Sequence, residues 1–147
     1  MITVAVDGMG GDNAPACMVQ GAVDAVNKNS NIKVLLTGRP DELNKALEGL
    51  TYDKSRLEIV PASEVIETGA PPVESVRTKK DSSLVVRLKP VKEQKADAFV
   101  SCGSTGAVLV DGQMIARKIQ GVNRAQIAPV IPTVNGDMLF VACGTNV

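Results

Sequence analysis

Ile2-Thr3-Val4-Ala5-Val6-Asp7-Gly8-Met9-Gly10-Gly11-Asp12-Asn13-Ala14-Pro15 begins as an apolar run and breaks at a glycine cluster. It then gives way to Met18, Val19, Ala22, Val23 and Val26 at helical spacing. A short apolar run, a glycine turn and a 3.6-residue period read as strand, turn and helix. Asp12 or Asn13 is placed to cap that helix, and Pro15 suits its first turn, where a missing N–H matters little. The order then recurs. Residues 32–36 read as a second strand closed by Thr37-Gly38-Arg39-Pro40, residues 41–50 as a helix, and residues 57–60 as a third strand. Residues 61–72 read as a long loop, because Thr68-Gly69-Ala70-Pro71-Pro72 concentrates breakers, and long loops in compact domains are often functional. Asp81-Ser82-Ser83 starts a helix whose Leu84, Val85 and Leu88 face a core. Pro90 cannot donate to the Val86 carbonyl and is expected to kink or end it before Lys95. Residues 98–102 form a fourth strand, Gly103-Ser104-Thr105-Gly106 its turn, and residues 107–119 a helix. Residues 127–131 and 138–142 are two further strands, joined in a hairpin through Asn135-Gly136-Asp137. Repeated strand–helix units imply one α/β domain over residues 1–147, a layered αβα arrangement with a parallel or mixed sheet.

Composition bounds the chemistry. The 147 residues are 44% hydrophobic with one Tyr, two Phe and no Trp, so the core is aliphatic. Sixteen Lys and Arg balance sixteen Asp and Glu, leaving no global field to draw nucleic acid or an anionic bilayer. The absence of histidine removes Ser-His-Asp and Cys-His catalysis, imidazole bases and histidine metal sites. Three cysteines and no secretory leader point to a reducing, cytoplasmic compartment. No apolar stretch approaches the roughly 18 residues that suggest a bilayer-spanning helix, so peripheral membrane contact alone stays open.

Two turns invite chemistry. Ser101-Cys102-Gly103-Ser104-Thr105-Gly106 lies between a strand and a helix, where backbone N–H groups and the Ser104 and Thr105 hydroxyls suit a phosphate or an oxyanion; the plainer reading is a capped tight turn. It is not a Walker motif, since Ala107 stands where lysine is needed. Asp7-Gly8-Met9-Gly10-Gly11-Asp12 has the position of a dinucleotide loop, but Asn13 replaces the third glycine and Thr37-Gly38-Arg39 offers no acidic partner for a ribose. Asp7 and Asp12 are left to orient a substrate or cation, or to cap the helix. Arg77, Lys79, Lys80 and Arg87 form a basic stretch that is either a solvated helix face or a contact for an anion or acidic protein. Cys102 has no histidine to activate it and reads as a small core residue; Cys17 and Cys143 read as packing. The last strand is followed only by Cys143-Gly144-Thr145-Asn146-Val147, where a covering element is expected to continue.

Taken in order, Val4 to Pro15, Ala62-Ser63-Glu64-Val65-Ile66-Glu67, Lys79-Lys80-Asp81-Ser82-Ser83 and Ala96-Asp97-Ala98-Phe99-Val100-Ser101 with Gly103-Ser104-Thr105-Gly106-Ala107 resemble the bacterial phosphate acyltransferases, the PlsX family. Gly8 and Cys102 stand where that family usually has Ala, Ser104 where it has Asn, and Pro90 falls inside a family helix. Gly144-Thr145-Asn146-Val147 resembles a segment after which family members continue for about as long again.

The resemblance implies an αβα fold like phosphotransacetylase and isopropylmalate dehydrogenase. It also implies a homodimer and transfer of a fatty acyl group from acyl-[acyl-carrier-protein] to inorganic phosphate, for phospholipid synthesis. Acyl phosphate would pass to a membrane glycerol-3-phosphate acyltransferase, PlsY. Phosphate is itself the nucleophile, so no cofactor or metal is expected. On this reading Asp7, Ser104 and Thr105 are catalytic. Gly10, Gly11, Ser101, Gly103, Gly106 and Asn146 bind phosphate or substrate, while Arg77, Lys79 and Lys80 meet phosphate or the acidic carrier. The alternatives are a phosphotransacetylase-like enzyme using coenzyme A thioesters, and an inert fragment that binds anions or carrier protein.

Overall fold

The structure is a computed structural model that describes residues 1–117, 120–122 and 127–139. Cys143, Asn146, residues 140–142 of the expected last strand and residues 118–119 of the expected helix lie outside those described.

Four strands, β1 (Ile2–Asp7), β2 (Ile32–Gly38), β3 (Leu57–Pro61) and β4 (Ala98–Val100), form a parallel sheet in the order β3-β2-β1-β4. Val4 pairs with Val34 on one side and with Ala98 on the other. The inner strands are apolar at successive positions because helices or loops cover both faces. On one face, α1 (Ala16–Lys28) and α2 (Pro40–Leu47) bury Val19, Val23, Val26 and Leu43 against Val6, Val34 and Leu36. On the other, Ala5 and Leu35 meet Ala96, Val91 and Phe99. Between β3 and β4 the chain builds α3 (Pro72–Thr78), α4 (Ser83–Val86) and α5 (Leu88–Lys92), and after β4 it builds α6 (Thr105–Asp111). Ile66, Val76, Leu84, Val85 and Ala107 close a further core among these helices.

Several local expectations are corrected. α1 starts after Pro15 with no side-chain cap: Asp12 is exposed, and Asn13 serves through its carbonyl, which accepts from Cys17 N–H at 3.1 Å. α2 stops at Leu47 rather than at residue 50, where Gly49 takes a left-handed φ of +78°. The Pro71-Pro72 pair reads as loop but begins α3, because proline is tolerated in a helix's first turn. Pro90 sits early in α5 for the same reason, and the expected single helix breaks before it, at Arg87. β4 ends at Val100, leaving Cys102 exposed rather than in the core; Cys17 is exposed too. α6 begins two residues sooner than expected and runs into a π-helical turn, Gly112–Ala116. The hairpin exists, as β5 (Val130–Thr133) and β6 (Gly136–Leu139), but as a separate antiparallel pair with both strands exposed. Among the described residues no helix is long and apolar enough to cross a membrane.

Candidate active site

Strands β1, β2 and β3 step outward in one direction, and the chain then returns to place β4 on the other side of β1. In an open parallel sheet such a reversal leaves a crevice between the loops that follow the two diverging strands, and ligands bind there. Here those loops are the Gly8 to Gly11 turn after β1 and the Ser101 to Gly106 turn after β4, the two segments singled out from sequence.

Asp7, the last residue of β1, is 1% exposed and ties the turns together. Its Oδ1 accepts from Met9 N–H at 3.2 Å. Its Oδ2 accepts from the Ser101 hydroxyl at 2.9 Å and from Arg87 Nη1 at 3.3 Å. The Ser101 oxygen in turn accepts from Gly103 N–H at 3.1 Å. Glycine is needed where the turns touch. A Cβ on Gly10 would stand 2.6 Å from Asp7 Oδ2 and 3.0 Å from Gly103 N. One on Gly11, whose φ is +109°, would stand 3.1 Å from the Cys102 carbonyl oxygen. Gly106 lets α3 approach, since a Cβ there would lie 2.9 Å from Pro72 Cγ.

The turn divides into an inner and an outer part. The polar groups of Asp7, Ser101 and Gly103 are bonded to one another. Ser104 caps α6, its hydroxyl oxygen accepting from Ala107 N–H at 3.4 Å. Thr105 is exposed, with Ser104 and Gly106 half-buried beside it. Along the Ser101 to Gly106 turn the residues open to solvent are therefore Cys102 and Thr105.

The basic residues separate. Arg77 and Lys80 join Lys89 around a hollow of about 650 Å³ floored by Val76 and Val85, and none of the glycine-turn residues lines it. Lys79 donates its ammonium to the Val65 carbonyl at 2.7 Å and so braces the long loop. Arg87 is not on a basic surface at all. It is 0% exposed, with its guanidinium 4.7 Å over the Phe99 ring.

Asp111, at the end of α6, escapes the sequence reading and is also 0% exposed. Burial pushes its carboxyl up to about 7, with Arg87 pulling the other way and Asp7 adding to the rise. Burial likewise lowers the Arg87 pKa, against the pull of Asp7 and Asp111. The available signal is a lone charge inside an apolar run: Val85-Val86-Arg87-Leu88 and Val108-Leu109-Val110-Asp111.

Comparison with known proteins agrees with the fold. Residues 2–147 match the family described as Fatty acid synthesis protein. A phosphate acyltransferase of Clostridium tetani is 43% identical over 143 residues, covering 97% of this chain and 43% of the relative. One from Alkaliphilus oremlandii is 46% identical over 143 residues, covering 97% and 42%. The chain thus spans less than half the length of these relatives. The EutD phosphotransacetylase from Staphylococcus aureus superposes with a TM-score of 0.56 at 17% identity, over 95% of this chain and 44% of that one, a likeness of fold. This chain belongs to the fatty acid synthesis protein family, whose curated relatives are phosphate acyltransferases.

Proposed function

We propose that the chain forms part of the active site of an acyl-[acyl-carrier-protein]:phosphate acyltransferase. A phosphate oxygen attacks the thioester carbonyl and forms a C–O bond. The C–S bond breaks, the carrier thiolate leaves and takes a proton from solvent, and acyl phosphate is released for phospholipid synthesis. The observation that carries this reading is the meeting of two glycine turns at the reversal of strand order. There, glycines let the two backbones approach, Asp7 and Ser101 bond the turns together, and Thr105 is left exposed beside them.

The residues divide the work. Ser104, Thr105 and the N–H groups at Thr105 and Gly106 donate to phosphate and to the developing carbonyl oxyanion. Asp7, Gly10, Gly11, Ser101 and Gly103 hold the two turns in register, so the donors need no rearrangement during reaction. The acidic carrier docks on Arg77, Lys80 and Lys89, where charge complementarity steers it. The protein acts in the cytoplasm as a homodimer and hands its product to a membrane glycerol-3-phosphate acyltransferase.

The test is acyl phosphate formation by this chain, and by a version extended with the remainder of a relative, using acyl-carrier protein and acyl-coenzyme A as donors. Phosphate-dependent turnover from the carrier, reduced at least tenfold by Thr105→Val, is the expected result. Turnover from coenzyme A alone would reassign the donor. No turnover from either form, with phosphate still bound, would leave only a binding fragment.

A further inference from the structure

Arg87 and Asp111 carry charge into the interior, and the acyl transfer described above uses neither. Arg87 spends Nη1 on Asp7, while its Nε and Nη2 are buried without a hydrogen-bond partner among the described residues. Both carboxylate oxygens of Asp111 are in the same condition. Unpaired buried donors and acceptors are costly and native interiors hold few of them. Here the orphaned donors and acceptors carry opposite charge and lie close enough to act on one another.

Among the described residues, the charged groups acting on Asp111 are Arg87, from the α4–α5 junction, and Asp7, from the end of β1. The other ionisable side chains on the elements around α6, Glu74 and Arg77 on α3 and Lys89 and Lys92 on α5, are exposed. α4 and the Gly112–Ala116 turn carry none. Among the described residues one guanidinium therefore serves two carboxylates.

We propose that Arg87 is a positioning residue of the phosphate site, shared between Asp7 and Asp111, and that ionisation of Asp111 draws the guanidinium off Asp7 and loosens the Ser101–Gly103 end of the turn. With Asp111 protonated, the cluster holds one cation and one anion, and Arg87 belongs to Asp7. With Asp111 ionised, the idle Nε and Nη2 gain a charged acceptor, and the Nη1 contact to Asp7, at 3.3 Å already long for a charge-assisted bond, gives way. Asp7 then holds Ser101 without its counter-charge, and the bond from Gly103 N–H to Ser101 responds. Because Asp111 keeps its proton up to about 7, the transition falls near neutral pH. The proposal rests on the acyl-transfer reading only for the word phosphate; the coupling of Asp111 to Gly103 stands or falls by itself.

The experiment is an NMR titration of the whole chain from acid to mildly alkaline pH, following the Asp111 side-chain carboxyl carbon and the Gly103 amide. Inorganic phosphate is then titrated at each end of the range. The two signals should move together with one midpoint, and phosphate affinity should fall severalfold across it. Asp111→Asn should hold the Gly103 amide at its acid position and flatten the affinity change relative to the parent chain, a comparison that cancels the titration of phosphate itself. A Gly103 amide that stays still while Asp111 ionises would overturn the proposal. So would an Asp111→Asn chain that keeps the step. If Asp111→Asn does not fold, the two parent curves decide alone. If Gly103 follows Asp111 but phosphate binds at neither pH, the phosphate-site reading fails and the coupling survives.

Discussion

Arg77 and Arg87 are ten positions apart in one basic stretch and end in opposite environments. Arg77 stands in solvent with Lys80 and Lys89 round an open hollow, whereas Arg87 is sealed between β1, Phe99 and α6. Charges in the first group are screened by water and salt, so they contribute attraction for a partner and little stability. A charge in the second has lost its hydration and is held only by specific neighbours, so its removal strands them. The same residue type thus works as a surface field in one place and as a geometric brace in the other.

The largest expected effect separates the two directly. Arg87→Met leaves Asp7 and Asp111 without their shared cation and should destabilise the chain by about 3–5 kcal/mol, whereas Arg77→Met should stay within about 0.5 kcal/mol. Urea unfolding measures both, and equal effects would erase the distinction.

Next comes pH. Asp111 binds its proton more tightly folded, with a value about 7, than unfolded, near 3.8, so the unfolded chain releases that proton first and stability declines between roughly those limits. Asp111→Asn should remove the decline, a difference on the order of 2–4 kcal/mol at the alkaline end, read from unfolding curves at acid and alkaline pH. A parent chain and variant running parallel across that range would show Asp111 to be hydrated. Charge reversal at the exposed Arg77 should produce no such window.

Smaller effects sharpen the contrast within the glycines. A methyl at Gly10 must displace Asp7 or Gly103, so Gly10→Ala should cost about 1–3 kcal/mol and weaken phosphate binding at least tenfold. Gly21, inside α1, has nothing within 4 Å of an added Cβ, and Gly21→Ala should stabilise by about 0.5–1 kcal/mol. The double reversal Arg77→Glu with Lys80→Glu should leave stability nearly unchanged while weakening carrier-protein binding in low salt and much less in high salt. Binding indifferent to both would remove the hollow from the carrier interface.

Much of the layered fold was legible. The apolar runs at β1, β2 and β3 and the helical spacing of Val19, Val23 and Val26 announce their elements, because burial on both faces of a parallel sheet leaves little choice of side chain. The two turns were legible too, since glycine clusters mark where backbones must approach. What misled were Pro72, which local rules read as part of a loop although it begins α3, and Cys102, which the end of β4 leaves outside; the break expected at Pro90 falls three residues earlier, at Arg87.

The sequence by itself determined the alternation of strands and helices, the aliphatic core, the absence of imidazole chemistry and the two glycine turns, because these depend on residue type and short-range spacing. The tertiary structure alone decided that the turns meet, that Asp7 lies between them, that Arg87 reaches it from far along the chain, and that Asp111 is buried within the field of both. Strand order and helix packing set those distances, and a buried charge takes its meaning from neighbours that no local pattern names.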